Sequence, residues 1–211
     1  MKIDKRIDWN DVTIEEFKQI QILLSDDELD EEDKALGLVA LFSDDDPLQT
    51  DFREFRKRLE NIQFIGKEIK PAEVKKEYVL GGVKYKLNKN IYNLTTSQYI
   101  DYTSYLKNLD SDTLYEDVLS VYLIPDGCKY NVGYDIDETK RIIRNNMPIT
   151  DALGIYNFFF LFFRNFVEIS LSYIKRKMKR MVKRKKERKE AMQMIDNLTK
   201  VVGGYYHSLS A

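Results

Sequence analysis

Residues 148–202 set the tightest limit on what this chain can become. After Pro148 there is no proline, and one glycine, Gly154, before Gly203. Within that stretch the block 155–166 reads Ile-Tyr-Asn-Phe-Phe-Phe-Leu-Phe-Phe-Arg-Asn-Phe, and the block 175–189 reads Lys-Arg-Lys-Met-Lys-Arg-Met-Val-Lys-Arg-Lys-Lys-Glu-Arg-Lys. The pattern predicts one helix opened by Pro148-Ile-Thr150 and ended by Gly203-Gly204, apolar first and cationic after. Unbroken, such a helix would span roughly 75–80 Å at ~1.5 Å per residue. A compact globule of this length has a radius of gyration near ~17 Å. A helix that long either breaks or protrudes.

The two blocks make different demands. Between Tyr156 and Phe166 the residues are apolar nearly all round, so a helix there must be buried on every side. Phe158, Phe159, Phe162 and Phe166 are thus candidates for a domain core or a partner's groove. The purely apolar run is about nine residues, against the ~20 that a membrane span needs, and Arg164, Asn165 and Glu168 interrupt any extension.

From Val167 onward the apolar residues follow a heptad through Leu171, Ile174, Met178, Met181, Met192, Ile195 and Val202, broken at Lys185 and Arg188. That seam fits packing on the chain's own domain at both ends, self-association, or a partner helix. Met178, Met181, Met192 and Ile195 are its candidate contact residues, the methionines because they adapt to irregular surfaces. In the cationic block Lys175, Arg176, Lys179, Arg180, Lys183, Arg184, Lys185, Lys186, Arg188 and Lys189 cover every helical face. Like charges at i,i+3 and i,i+4 repel. An anionic partner would relieve that repulsion, whether the acidic end of the chain, DNA or anionic lipid.

Charge divides the chain. Overall it carries 34 basic and 35 acidic residues, with 33% charged and 43% hydrophobic residues. Residues 1–60 hold 18 acids and 9 bases, whereas residues 164–200 hold 13 bases and 4 acids. The ends could neutralise each other within one molecule or between neighbours.

Upstream, helix signals dominate. Thr13-Ile-Glu-Glu16 is a capping box, followed at helical spacing by Ile14, Phe17, Ile20 and Leu24. Ser25-Asp-Asp-Glu28 reads as a second start, ahead of Ala35, Leu36, Val39 and Phe42. Asp46-Pro47 reads as a third, ahead of Phe52, Phe55, Leu59 and Ile62. Trp9 would anchor this acidic three-helix unit over 1–65. A connector and β-hairpin follow over 66–90, with Gly81-Gly82 between Glu77–Leu80 and Val83–Leu87. A second helical unit spans 91–166, with helices from Thr96, over about 112–124 and over 135–146. Its Tyr99, Tyr102, Tyr105, Tyr115 and Tyr122 would pack helix on helix. Residues 167–211 carry the long basic, amphipathic helix and tail. The expected class is mainly α.

Reaction chemistry is hard to find. The chain has one His, His207, and one Cys, Cys128. A His-based triad and a multi-histidine metal site are excluded, an internal disulfide is impossible, and no cofactor is expected. The run Ser25-Asp-Asp-Glu-Leu-Asp-Glu-Glu-Asp33 lacks the glycine and spacing of an EF-hand. No glycine-rich phosphate loop occurs, and the N-terminal residues lack the apolar stretch of a secretory signal. A binding protein is expected rather than an enzyme.

Trp9-Asn-Asp-Val-Thr-Ile-Glu-Glu-Phe17, Ala35-Leu-Gly-Leu-Val-Ala-Leu-Phe42 and Phe52 to Ile65 resemble the N-terminal region of bacteriophage tail assembly chaperone-like proteins. Leu94-Thr-Thr-Ser-Gln-Tyr-Ile-Asp101, Leu119-Ser-Val-Tyr-Leu-Ile-Pro125, the Tyr-rich loop and Asn146-Met-Pro148 before the aromatic block are similar in layout, so the resemblance covers about residues 5–170. The Lys-, Asn- and Tyr-rich usage also looks like that of crAss-like phages. The resemblance implies a non-enzymatic role in tail or neck morphogenesis. A protein of this kind would hold a helical partner such as a tape measure, in the host cytoplasm or in the virion's tail or neck. The basic extension departs from that pattern. It raises two alternatives: a portal, ring or ejected cargo component that touches DNA, and a membrane-surface protein.

Overall fold

The computed structural model describes residues 7–90, 93–108 and 111–161. Contacts divide the chain after Tyr156. Up to that point the described chain is helix-rich with one small antiparallel sheet.

Helix α1 (Ile14–Ser25) starts at the expected capping box: the Glu16 amide donates to Thr13 Oγ1 and the Thr13 amide donates to Glu16 Oε2. Ile14, Phe17 and Ile20 are buried, but Leu24 is 46% exposed. Helix α2 (Glu31–Phe42) is capped by Asp30, whose carboxylate accepts from the Glu32 and Asp33 amides. The expected start at Ser25 is therefore corrected. Ser25 ends α1, and the mostly acidic residues 26–30 intervene. Asp46-Pro47 opens only a single 3₁₀ turn, Pro47–Gln49. The third helix, α3 (Phe52–Asn61), begins behind a second cap at Asp51. A further 3₁₀ turn, Gln63–Gly66, brings Phe64 onto Trp9. Trp9 is the anchor expected: its ring meets Phe64 and Phe17 edge to face at 4.9 and 6.0 Å, and its indole N–H donates to the Lys67 carbonyl.

Strands β1 (Glu77–Leu80) and β2 (Val83–Leu87) form the hairpin, with Leu80 opposite Val83. Gly81 and Gly82 both have positive φ, 55° and 80°, which a two-residue turn of this twist requires. Tyr78, Leu80, Tyr85 and Leu87 face the core, and Glu77, Val79, Lys84 and Lys86 face outward. A third strand enlarges the sheet beyond a hairpin. After α4 (Thr96–Tyr105), helix α5 (Leu114–Tyr122) stops early, and β3 (Leu123–Pro125) pairs antiparallel with β2. The helix expected over 112–124 gives up its last residues because Leu123 and Ile124 satisfy their backbones on β2 instead.

Helix α5 is the centre of the fold. Seven of its nine residues are buried, so it is covered on all sides. Tyr102 of α4 meets Tyr122 edge to face at 5.4 Å. Helix α6 (Ile136–Asn146) lies against α5 and α1. The last described helix, α7, covers 149–161. Its first turn is pinned to the N-terminal segment: the Ile149 amide donates to the Val12 carbonyl at 2.8 Å, and Thr150 Oγ1 donates to Asn10 at 2.9 Å. Thr150 thus lies inside the helix and bonds across the fold. The connector segment around Ala72 crosses α7, with the Ala72 amide donating to the Thr150 carbonyl at 2.9 Å. A Cβ on Gly154 would lie 2.2 Å from the Ala72 oxygen, so only glycine permits this crossing.

One buried carboxylate ties three helices together. Glu116 of α5, 1% exposed, accepts from Lys18 of α1 at 2.7 and 3.0 Å and from Arg144 of α6 at 2.6 and 2.7 Å. Arg144 also reaches Glu15 at 3.8 Å. Four charges of balanced sign satisfy one another where an isolated one would be costly.

Candidate docking surface

Helix α2 is covered less than its sequence demands. From Ala35 to Phe42 it reads Ala-Leu-Gly-Leu-Val-Ala-Leu-Phe, eight residues without a charge, and only Val39 and Phe42 are buried. Leu36, Leu38 and Leu41 are half-buried and Ala40 is exposed. A helix apolar on most faces is stable in a globule when other elements cover those faces. Here α1, α3 and the Pro47–Gln49 turn cover one side.

Neighbouring residues extend this open surface. Leu23 of α1 sits beside Gly37 in the middle of α2, where an added Cβ would lie 2.9 Å from a Leu23 methyl. The adjoining Ile22 and Leu24 are 66% and 46% exposed. Beyond the C-terminal end of α2, Leu48 and Phe52 are 73% and 78% exposed. Phe52 was expected on the core stripe with Phe55 and Leu59. The structure instead buries Arg58, whose guanidinium donates to Ser43 at 2.7 Å and pairs with Asp45 at 3.1 Å. Arg58 ties α3 to the α2–α3 link, and Phe52 stands outward.

Acid surrounds these apolar residues. Residues 26–33 hold seven acids and no base. Asp26 and Asp30 are spent on backbone amides. Among the described residues, no cation pairs with Asp27, Glu28, Glu31, Glu32 or Asp33, all exposed. The surface joins open leucines to uncompensated negative charge.

The residues singled out in the sequence fall elsewhere. Phe159 is fully buried, and its ring meets that of the half-buried Phe158 at 5.1 Å. Phe162, Phe166, Met178, Met181, Met192, Ile195 and the cationic set from Lys175 to Lys189 lie outside the described residues. Of the tyrosines expected between helices, Tyr102 and Tyr122 pack together and Tyr115 meets Tyr156 at 5.7 Å. Tyr99 is a correction, 49% exposed on the outer side of α4. Burial pushes Tyr78 and Tyr156 up to about 12 and raises Tyr122 and Tyr130 as well. These phenols belong to the core and are held neutral.

Other concavities offer less. An open groove of about 600 Å³ beside Trp9 is lined by Asp8, Glu68, Lys67 and Lys70 among others, charges that balance. Among the described residues, no group of three or more His, Cys, Asp or Glu could hold a metal ion, and no helix is long and apolar enough to cross a membrane. No protein-family model, curated protein or solved structure matches the chain.

Proposed function

We propose that this protein is a non-enzymatic assembly factor of a phage virion, acting in tail or neck morphogenesis by holding a helical protein partner on the open face of α2. The observation that carries the docking role is the mismatch in α2, whose uncharged run of eight buries only Val39 and Phe42. The likeness of residues 5–170 to tail assembly chaperone-like proteins supplies the biological setting. The acidic rim selects for a cationic partner, and the leucines supply the apolar contact, with i, i+3 and i+4 anchors from the incoming helix.

The test uses the full chain and whatever tape measure, portal, ring and tail proteins its own genome encodes; a genome without them overturns the reading. Calorimetry should find at least one that binds. Leu36→Ser combined with Phe52→Ser should weaken that binding at least tenfold. Absence of binding to every such protein, or binding indifferent to both substitutions, would overturn the reading.

A further inference from the structure

We infer that the open face of α2 is also a self-assembly site, and that its occupant is the cationic segment 175–189 of a neighbouring copy. The inference rests on the reading of α2 as a docking face and names one partner for it.

Three observations converge. The first is complementary charge. The segment 175–189 carries 11 bases and a single acid, Glu187, while 26–33 carries seven acids and no base. The imbalance also matches over longer stretches, with nine excess acids over 1–60 and nine excess bases over 164–200. The second is that the acids are available. Asp27, Glu28, Glu31, Glu32 and Asp33 are exposed and pair with no described cation. The third is apolar content on both sides. Leu36, Leu38 and Leu41 are incompletely covered, and the cationic segment interleaves Met178, Met181 and Val182 among its bases. Methionine adapts to such a surface better than a branched residue does.

A second copy fits better than an unrelated basic protein because the whole chain is nearly neutral, with a formal charge of −1. Net repulsion between copies, the usual guard against association, is absent. The pairing would be heterologous, the face of one copy taking the segment of the next. Such pairing propagates into a ring or an open filament and does not stop at a dimer.

Sedimentation of the full chain over a range of concentrations tests this. The unaltered protein should associate beyond a dimer in ~0.15 M salt and at least tenfold more weakly in ~1 M salt, where the screening length falls to about 3 Å. Two chains of altered charge give the decisive arm. One carries Asp27→Lys, Glu28→Lys and Glu32→Lys; the other carries Lys179→Glu, Lys183→Glu and Lys186→Glu. Each alone should associate at least tenfold more weakly than the unaltered protein while keeping its helical circular dichroism. Their equimolar mixture should pair again, because the first chain keeps its cationic segment and the second its acidic face. A monomeric unaltered chain overturns the inference, as does a mixture that stays apart. A segment that binds duplex DNA in a chain that never self-associates overturns it too. If the unaltered chain is monomeric but Leu36→Ser and Phe52→Ser still abolish binding to a virion protein, the docking reading stands and the self-assembly inference alone falls.

Discussion

Helices α2 and α5 are both apolar, and the fold treats them in opposite ways. In α5, Leu-Tyr-Glu-Asp-Val-Leu-Ser-Val-Tyr, even Glu116 and Ser120 are buried. In α2, Glu-Glu-Asp-Lys-Ala-Leu-Gly-Leu-Val-Ala-Leu-Phe, the longer uncharged run buries only two residues. Hydrophobicity along the chain therefore does not decide which helix is core. Neighbours do: α5 is flanked by α4, α6 and the sheet, and α2 by α1, α3 and the Pro47–Gln49 turn on one side. Apolar surface that the fold leaves open on α2 is available to another molecule.

The sharpest way to break this contrast is at Glu116. Glu116→Ala would leave Lys18 without its counter-charge and Arg144 with only Glu15, at 3.8 Å. Removing one partner of a fully buried pair costs about 3–5 kcal/mol, and the loss here is smaller because the Lys18 and Arg144 side chains are 18% and 35% exposed. The midpoint of thermal unfolding should fall by many degrees, far more than for Glu31→Ala on the α2 rim. An equal effect of the two substitutions would show that α5 is no more central than α2.

Leu119→Ala probes packing without charge. Leu119 is fully buried, and a buried Leu→Ala change costs about 2–5 kcal/mol. Leu38→Ala, on the half-buried flank of α2, should cost clearly less in denaturant unfolding. A larger loss at Leu38 would mean that α2 is covered after all.

Much of this organisation was legible in the chain, but unevenly. Local chemistry carried the parts that depend on near neighbours. The Thr13–Glu16 capping box, the Gly81-Gly82 turn and the Trp9 anchor all rest on residues whose role follows from their own type. Other parts depend on distant residues and left no local mark. Leu123 continues the apolar run of α5, yet pairing with Leu87 makes it a strand residue. Phe52 shares helical spacing with Phe55 and Leu59, yet Arg58 takes the buried side because Ser43, Asp45 and Glu54 satisfy it. Glu116 reads as an ordinary acid in a helix until Lys18 and Arg144 arrive from 98 and 28 residues away. The open face of α2 was the hardest to foresee, since its sequence is that of a core helix.

Alkaline pH separates the two regions more gently. The folded state holds Tyr78 and Tyr156 up to about 12, mainly by burial, against about 10 in an unfolded chain. Their folded values are raised, so the stability they contribute is complete below pH ~10 and is lost as pH rises toward ~12. Ultraviolet titration should show these phenols ionising late and together with unfolding. Titration of Tyr78 and Tyr156 before unfolding would contradict the burial described.

The smallest stability effect carries the most functional information. Phe52 begins α3 directly after its Asp51 cap and exposes 78% of its surface. Phe52→Ser removes no buried contact, and serine is accepted at a helix start, so unfolding should shift by no more than about 0.5 kcal/mol. Partner binding should nevertheless fall at least tenfold, because a large exposed ring at the edge of an apolar face acts chiefly through what it docks against. The two readouts must separate. If stability and binding fall together, Phe52 belongs to the α1–α3 packing. If neither moves, the docking face lies nearer Ile22 and Leu24, and the acid linker of residues 26–30 becomes its centre.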